Sequence, residues 1–268
     1  MDSVQLNKLL RAIDRLNIAE QGGVYLIPET LAVLAQFTVQ PSNFYIRAMN
    51  TLIRQLITDG NWNELDKFCV FATEQQQHAR ICWRFPTATP LTEVNSPTWT
   101  ANKGYTGGGT ARLDTNYVPS VNAVSYSLNS ASFGSYNYTN VAAGAKITIG
   151  CDNGASISHI YPNLGGNFVI RVNAVNGISS ANTDARGMYA AYRTGSSNIA
   201  QYKNGVLTNS SGVVSSTSLS NNQFTVLNNN ASPFDGTVSV IYIASSNINP
   251  LTFYNAIQTF ATTIGFNV

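Results

Sequence analysis

A serine and a histidine stand three residues apart at Ser156 and His159, within the run Gly154-Ala-Ser156-Ile-Ser158-His159. Acyl transfer by a serine needs a strained Gly-x-Ser-x-Gly elbow that exposes the hydroxyl, with a base in reach. The second glycine of that elbow is absent, and an imidazole this close along the chain is rarely the partner. Both residues read as ordinary strand or surface positions. His78 follows Gln75-Gln76-Gln77 and reads as a polar residue of a helix.

Glycoside hydrolysis usually needs two carboxylates. The second part of the chain and its border offer Glu93, Asp114, Asp152, Asp184 and Asp235. Asp152 precedes Asn153-Gly154 and Asp235 precedes Gly236, which marks both as turn residues. Asp114 and Asp184 remain as a pair that a fold could bring together. Calcium wants clustered oxygens, as in Asp-x-Asp-x-Asp-Gly, and no such run occurs, which leaves at most a backbone-carbonyl site with a single Asp. The segment Lys103-Gly-Tyr-Thr-Gly-Gly-Gly-Thr-Ala-Arg112 has the glycines of a phosphate cradle. Neither Gly-Lys-Ser/Thr nor a helix follows it, so it reads as a turn before a strand.

The cysteines are Cys69, Cys82 and Cys151, odd in number and without Cys-x-x-Cys spacing, and the histidines are only His78 and His159. No zinc site is expected, and a disulfide scaffold is excluded as the basis of the fold. Three mostly buried free thiols suit folding in a reducing cytoplasm. No catalytic residue, no cofactor and no metal ligand is assigned, and the chain is expected not to be an enzyme.

Aromatic residues offer a different chemistry. Tyr126, Phe133, Tyr136 and Tyr138 fall at near-alternating positions in a neutral stretch rich in Asn and Ser, and Tyr189, Tyr192 and Tyr202 recur similarly. Tyrosines beside amides suit a neutral sugar, with the ring stacked on a pyranose face and Asn or Gln bonded to its hydroxyls. The candidate ligand contacts are Tyr126, Tyr136, Tyr138, Tyr189 and Tyr192. The alternative is that the same rings fill the core of a sandwich.

These residues sit in a chain of two textures. Of 268 residues only 10% are charged, against about 25% in an ordinary soluble domain. Residues 1–95 hold 8 Lys/Arg and 9 Asp/Glu, whereas residues 96–268 hold 7 and 4. Glycine divides the other way, 3 against 17. Such a step predicts two regions, 1–95 and 96–268. The net charge of +2 gives no field that would favour nucleic acid. The start lacks a basic end followed by an apolar stretch, and apolar runs such as Phe68–Ala72 and Val240–Ala244 fall far short of the roughly 18 residues of a membrane span. No signal peptide and no membrane association are expected.

The first region reads as helical. Leu6, Leu9, Leu10, Ile13 and Leu16 recur at helical steps and Gly22-Gly23 stops them. Pro28 opens a short helix with Leu31, Leu34 and Phe37. Ser42 caps a third, with Ile46, Met49, Ile53, Leu56 and Ile57, ended by Asp59-Gly60. A fourth is expected over Trp62–Phe71 and a fifth over Glu74–Cys82. After Pro86, Pro90 and Pro97 come short segments with strand character: Ala145–Ile149, Phe168–Val172, Gly187–Tyr192, Ile199–Tyr202, Gln223–Leu227 and Thr237–Ala244. Asn153-Gly154, Asn176-Gly177 and Asn204-Gly205 supply turns with positive φ. Asn249 and Pro250 start a terminal helix over 250–264 lined by Phe253, Ile257, Phe260 and Ile264. The fold class is α+β: a small helical region, an antiparallel β-sandwich and a C-terminal helix.

Several runs resemble a known family. Trp62-Asn-Glu-Leu-Asp-Lys-Phe-Cys-Val-Phe-Ala72 and His78-Ala-Arg-Ile-Cys-Trp-Arg-Phe-Pro86 resemble the helical lead-in of tailed-phage and prophage virion proteins. Leu91-Thr-Glu-Val-Asn-Ser-Pro-Thr-Trp-Thr-Ala-Asn-Lys-Gly-Tyr105 onward to Pro119 is similar to the opening of their concanavalin-like, laminin-G-like jelly roll. Tyr202-Lys-Asn-Gly205 resembles a hairpin of that fold, and Ile257-Gln-Thr-Phe-Ala-Thr-Thr-Ile-Gly265 matches the style of its ending. The resemblance covers roughly residues 42–268.

That resemblance implies a virion structural protein assembled in the host cytoplasm: a head or tail fibre, spike or decoration subunit. Residues 1–95 would dock on other virion proteins (capsid, portal, tail or fibre), and a dimer or trimer would match a symmetric platform. It carries over no binding residue, and the acidic calcium loop of many lectins of this fold is absent. The alternative reading is a carbohydrate-binding adhesin that recognises a host surface glycan, and a third is a glycan depolymerase.

Overall fold

The computed structural model describes residues 25–229 and 231–268. The helix expected around Leu6 to Leu16 lies outside the described residues. Pro28, whose missing N–H costs a helix start nothing, opens α1 (Pro28–Leu34). Ser42 accepts the Tyr45 N–H and opens α2 (Asn43–Thr58). Gly60, at φ +75°, closes it off. The terminal helix α5 (Pro250–Ile264) has the Asn249 side chain bonded to the N–H groups of Leu251 and Thr252, and Gly265 at φ +93° ends it. No helix among the described residues is long and apolar enough to cross a membrane.

Two antiparallel sheets form the sandwich. The first contains β1 (Leu65–Val70), β3 (Thr98–Thr100), β4 (Gly104–Thr106), β6 (Ala131–Asn137), β11 (Gly187–Arg193), β12 (Ile199–Lys203), β13 (Val206–Ser211) and β17 (Thr237–Ala244). Their order is β13-β12-β11-β6-β17-β4-β3, with β1 also on β17. The second runs β10-β9-β8-β7-β14-β5-β2. Its strands are β2 (Thr92–Val94), β5 (Arg112–Asp114), β7 (Ile149–Asp152), β8 (Ile157–Tyr161), β9 (Asn167–Arg171), β10 (Ile178–Ala181) and β14 (Thr225–Val226). A small hairpin of β15 (Asn228–Asn229) and β16 (Ser232–Pro233) stands beside it. Short turns of helix, α3 (Gln76–Ala79) and α4 (Pro119–Asn122), complete the chain.

The fourth expected helix is corrected. Trp62–Glu64 makes one tight helical turn, and the chain then extends into β1, which pairs with β17. All of β1 is buried: Phe68 and Val70 join the cluster that holds the helices, while Cys69 faces the interior between the sheets. A strand apolar on both faces shows no alternation, so over so short a run it matches a buried helix. The fifth expected helix is only the single turn of α3. A strand from the first third thus neighbours one near the C-terminus, and the step in composition near residue 95 does not mark an edge of the sheet.

The central strands of the first sheet are covered on both faces, while the edge strand β13 is largely exposed. On β17, Val240, Tyr242 and Ala244 pack with Met49, Ile53, Phe253, Ile257 and Phe260 of α2 and α5. Ile241 and Ile243 pack inward against Ile149, Ile160 and Phe168 of the second sheet. Helices α1, α2 and α5 all belong to the first cluster. The second sheet therefore keeps its outer face for solvent and loops, and polar strand residues gather there.

The expectation of three free thiols is also corrected. Cys69 and Cys82 form a disulfide, and Cys151 alone is free and buried. The inward side chain of β1 meets the loop that returns past it, a proximity that the thirteen-residue spacing did not reveal. Of the Asn-Gly turns, Asn204-Gly205 takes the expected positive φ at both residues. Gly177 does not. It is required because a Cβ there would lie 2.0 Å from the Ile170 carbonyl oxygen.

Candidate binding cleft on the open face of the second sheet

Alternation decides which strand residues reach the open face. Leu113, Ile149, Cys151, Ile160 and Val226 point inward into the core. Arg112, Asp114, Gly150, Asp152, Thr225 and His159 therefore point outward. Register aligns four of these across neighbouring strands: Asp114 opposite Thr225, Thr225 opposite Gly150, and Gly150 opposite His159.

The absence of a side chain at Gly150 makes room for the His159 ring, since a Cβ there would lie 2.5 Å from the ring's Cδ2. The ring is nearly inaccessible and its Nε2 sits 2.9 Å from Asn229 Oδ1. The Asn229 amide is oriented independently. Its Nδ2 donates to the Gly150 carbonyl (3.0 Å) and to Thr225 Oγ1 (2.8 Å), and the Thr225 hydroxyl donates to the Asn228 carbonyl (2.7 Å). A carbonyl oxygen only accepts, so Nε2 carries the imidazole proton, while Nδ1 faces the Tyr161 hydroxyl at 3.4 Å. Burial pushes the His159 pKa down to about 4, against the opposing pull of the Asn229 hydrogen bond and of Asp152, whose Oδ2 is 3.9 Å from Nε2. At neutral pH the ring is an uncharged part of the floor.

Around this floor lies a cleft of about 380 Å³, lined by Arg112, Asp114, Asp152, Gln223 and the Asn228–Asn229 hairpin among others. Its volume falls in the lower part of the range of small-molecule sites, about 300–1,000 Å³. Asp114 accepts from Arg112 Nε at 2.7 Å, and Asp152 accepts from the Gly154 N–H at 2.6 Å. Asn222 donates to the Asp152 carbonyl. Asn228 is held by the glycine-rich turn, where Gly109 accepts from its Nδ2 at 3.2 Å. Its Oδ1 is buried and has no protein partner. Leu227 and Ala231, at φ +73° and +57°, bend the backbone around this hairpin.

The tyrosines lie elsewhere. Tyr126 and Tyr189 are buried between the sheets; Tyr126 donates to Asn173 Oδ1 at 2.7 Å, and Tyr189 donates to the Asp184 carbonyl. Tyr136 and Tyr192 are buried against the helices, where Tyr136 donates to Gln258 Oε1 at 2.7 Å and Tyr192 packs on Tyr202. Tyr138 is part-buried beneath Lys103, which donates to its hydroxyl at 2.8 Å. As sugar platforms the four buried rings are corrected to core residues. The strands that carry three of them, β6 and β11, are buried on both faces, so these near-alternating aromatics have nowhere to face but an interior.

The Ser156–His159 pair is not formed. The odd spacing puts the two on opposite faces, and Ser156 donates to the Ser218 carbonyl. His78 is buried, stacked on Phe37 and bonded to the Val39 carbonyl. Asp184 pairs with Arg186, Asp235 with Lys146, and Glu93 accepts from Tyr105 and Gln76. Asp114 meets Asp152 in one cleft, and Asp184 does not line it. No group of three or more metal-ligating His, Cys, Asp or Glu side chains occurs among the described residues. Sequence reasoning missed Arg112, Gln223, Thr225, Asn228 and Asn229. The amide run Asn228-Asn229-Asn230 after a strand was the available signal.

A larger groove of about 650 Å³ runs between α2 and α5, past Phe44, Ala48, Leu52, Ala256 and Phe260. The smaller cleft is the better candidate for a polar ligand, because its polar side chains are held in place by hydrogen bonds.

No protein-family model and no curated protein matches the chain. Solved structures do. Domain 4 of AbnA, a GH43 extracellular arabinanase from Geobacillus stearothermophilus, in complex with arabinotriose, is similar with a TM-score of 0.53 and 13% identity over 73% of this chain and 98% of that one. A structure of botulinum neurotoxin type C, whose cell entry depends on interaction with two ganglioside molecules, gives 0.54 and 10%, over 73% and 52%. Trypanosoma rangeli sialidase, in complex with a difluoro-KDN, gives 0.51 and 10%, over 83% and 40%. The chain thus spans nearly all of the arabinanase domain, about half of the toxin chain and two-fifths of the sialidase chain. What the likeness establishes is the fold, an antiparallel β-sandwich of jelly-roll type.

Proposed function

We propose that the protein is a carbohydrate-binding domain that takes a saccharide in the cleft between Asp114 and Asp152 and releases it unhydrolysed. The observation that carries this reading is the prebuilt floor: Asn229, held by Gly150 and Thr225, faces a neutral His159 beneath a rim of carboxylates, amides and a guanidinium. Such groups, fixed before a ligand arrives, match the hydroxyls of a sugar ring without the cost of ordering them on binding. The arabinotriose in the arabinanase-domain structure and the gangliosides of the toxin support the class of ligand. Turnover is not part of the reading, because each carboxylate is tied into the cleft wall, Asp114 by Arg112 and Asp152 by Gly154.

Of the readings raised by the sequence, sugar recognition is the one that the cleft supports. The virion setting, with docking through residues 1–95 and a dimer or trimer, rests on the resemblance and is proposed with it: there the domain would serve as a host-recognition subunit. A glycan array probed with the full chain, followed by titration of a retained oligosaccharide, tests the binding. Asp114→Ala and Asn229→Ala should weaken it by at least about tenfold while the protein stays folded. No retention on the array sinks the reading, and release of reducing ends from a retained glycan sinks its non-hydrolytic half.

A further inference from the structure

The larger groove, of about 650 Å³, stands apart from the sugar cleft and suits a different occupant. Helices α2 and α5 form its sides, each roughly 22–24 Å long at about 1.5 Å per residue. Its floor is Ala48, Leu52, Ala256 and Phe260, and the ring of Phe44, 56% exposed, forms a lip. The hydroxyls of Thr51, Thr259 and Thr263 in its walls each donate at 2.9 Å to a carbonyl of their own helix. At the rim, Arg47 donates to the Asn43 carbonyl and Gln55 to Asp59. With these polar groups engaged within the helices, what the groove leaves for a partner is mainly apolar. A channel between two helices, deepened by two alanines, matches the apolar stripe of a third helix.

We propose that the occupant is the chain's own segment Val4–Ala19, seated as a helix between α2 and α5. Leu6, Leu9, Ile13 and Leu16 repeat at steps of three and four, a seam narrow enough for a cleft between two helices. Lys8, Arg11, Asp14 and Arg15 fall outside that seam. A helix of this segment would be about 24 Å long, the length of α2. The tether also starts in the right place. Tyr25, the first described residue, is held on α2: its carbonyl accepts from Asn50 Nδ2 and from Arg54, each at 3.2 Å, and the Arg54 guanidinium lies over its ring. Residues 20–24, with Gly22-Gly23 among them, reach at most about 17 Å, whereas α2 is about 10 Å across. A segment tethered so closely meets the groove at an effective concentration on the order of millimolar, which a second copy or a free protein would have to exceed. The exposed ring of Phe44 and the leucines of the seam then leave water together.

Paramagnetic broadening in the full chain tests this. A nitroxide attached at Asp14→Cys, on the polar side of the segment, goes to that thiol alone, because Cys151 is buried and the other two cysteines are joined. The amide signals of Thr51, Gln55, Ala256 and Thr259 should lose most of their intensity, while those of β8 and β9 keep theirs. Leu9→Asp/Ile13→Asp removes the seam, and Thr259→Trp, at an exposed position of the wall, fills the groove. Each should restore the Thr51 and Gln55 signals, with thermal unfolding establishing that the variants are folded. A mixture separates the occupants: nitroxide-bearing chains without isotope are added to isotope-labelled chains without nitroxide. Broadening at the groove in that mixture would make the occupant a second copy and overturn the proposal. Groove signals that keep their intensity, broadening centred on another face, or broadening that survives both variants would overturn it as well.

Discussion

The imidazole of His159 occupies the space that a side chain on Gly150 would fill. The two residues face each other across β7 and β8, and a Cβ on residue 150 would lie 2.5 Å from Cδ2 of the ring and 2.7 Å from the Ser158 carbonyl oxygen. Gly150→Ala should therefore expel the ring, break the contact with Asn229 and disturb the cleft floor. Overpacking of this kind costs about 1–3 kcal/mol. Urea denaturation measures that loss, and titration with the same oligosaccharide should show weaker binding. An alanine variant with unchanged stability and affinity would mean that the ring does not organise the floor.

Acid should act through the same ring. An imidazole with a lowered folded-state pKa stays neutral in the fold, so the unfolded chain binds the proton first. Stability is then intact above the ordinary value of about 6.5 and falls with pH until about 4, below which this residue adds no further loss. Each pH unit in that window costs about 1.4 kcal/mol, or roughly 3 kcal/mol in total. Denaturation midpoints across the window should fall more steeply for the native chain than for His159→Gln. Parallel slopes would place the acid sensitivity elsewhere.

The Cys69–Cys82 bond closes a loop of thirteen residues in sequence and ties β1 to the segment after α3. Such a loop is worth about 3 kcal/mol in the chain-entropy account. A Cys69→Ala/Cys82→Ala variant should lose about 2–4 kcal/mol. Thiol labelling gives an independent check. Folded protein should label slowly, because Cys151 is buried and burial pushes its pKa up to about 12. Unfolded protein should show one thiol without reductant and three with it.

Asp66 is the buried anchor of the loop that leads into β6. Its carboxylate accepts from the Tyr117 hydroxyl at 2.7 Å and from the backbone N–H groups of Val124, Ser125 and Tyr126. Removal of such an acceptor strands several buried donors at once, so Asp66→Ala should cost about 3 kcal/mol or more. Hydrogen exchange should quicken first at those three amides. Uniform exchange loss across the molecule would instead mark Asp66 as part of the global core.

Much of the architecture was legible in local chemistry. Ser42 and Asn249 cap where capping residues should, Pro28 and Pro250 stand at helix starts, and Thr237–Ala244 is a strand from end to end. What escaped depended on layers. β1 lost its alternation because the helices cover one face of the first sheet and the second sheet covers the other. The tyrosines looked like a ligand platform for the same reason: the spacing that would present them to a sugar also presents them to a neighbouring layer. In the cleft, Asp114 and Asp152 stood out as carboxylates, yet their meeting depends on β14 lying between β5 and β7. No spacing along the chain encodes that. Asn229 acts on His159 across seventy residues of sequence, so only the folded hairpin brings them together.

The site can be located directly by backbone amide spectra of the isotopically labelled chain during titration with a neutral oligosaccharide retained on the array. The account predicts shifts grouped at Arg112, Asp114, Asp152, Gln223, Asn228 and Asn229, with the His159 side chain responding alongside them. Shifts grouped instead in the groove between α2 and α5, or spread without reference to the open face of the second sheet, would contradict it.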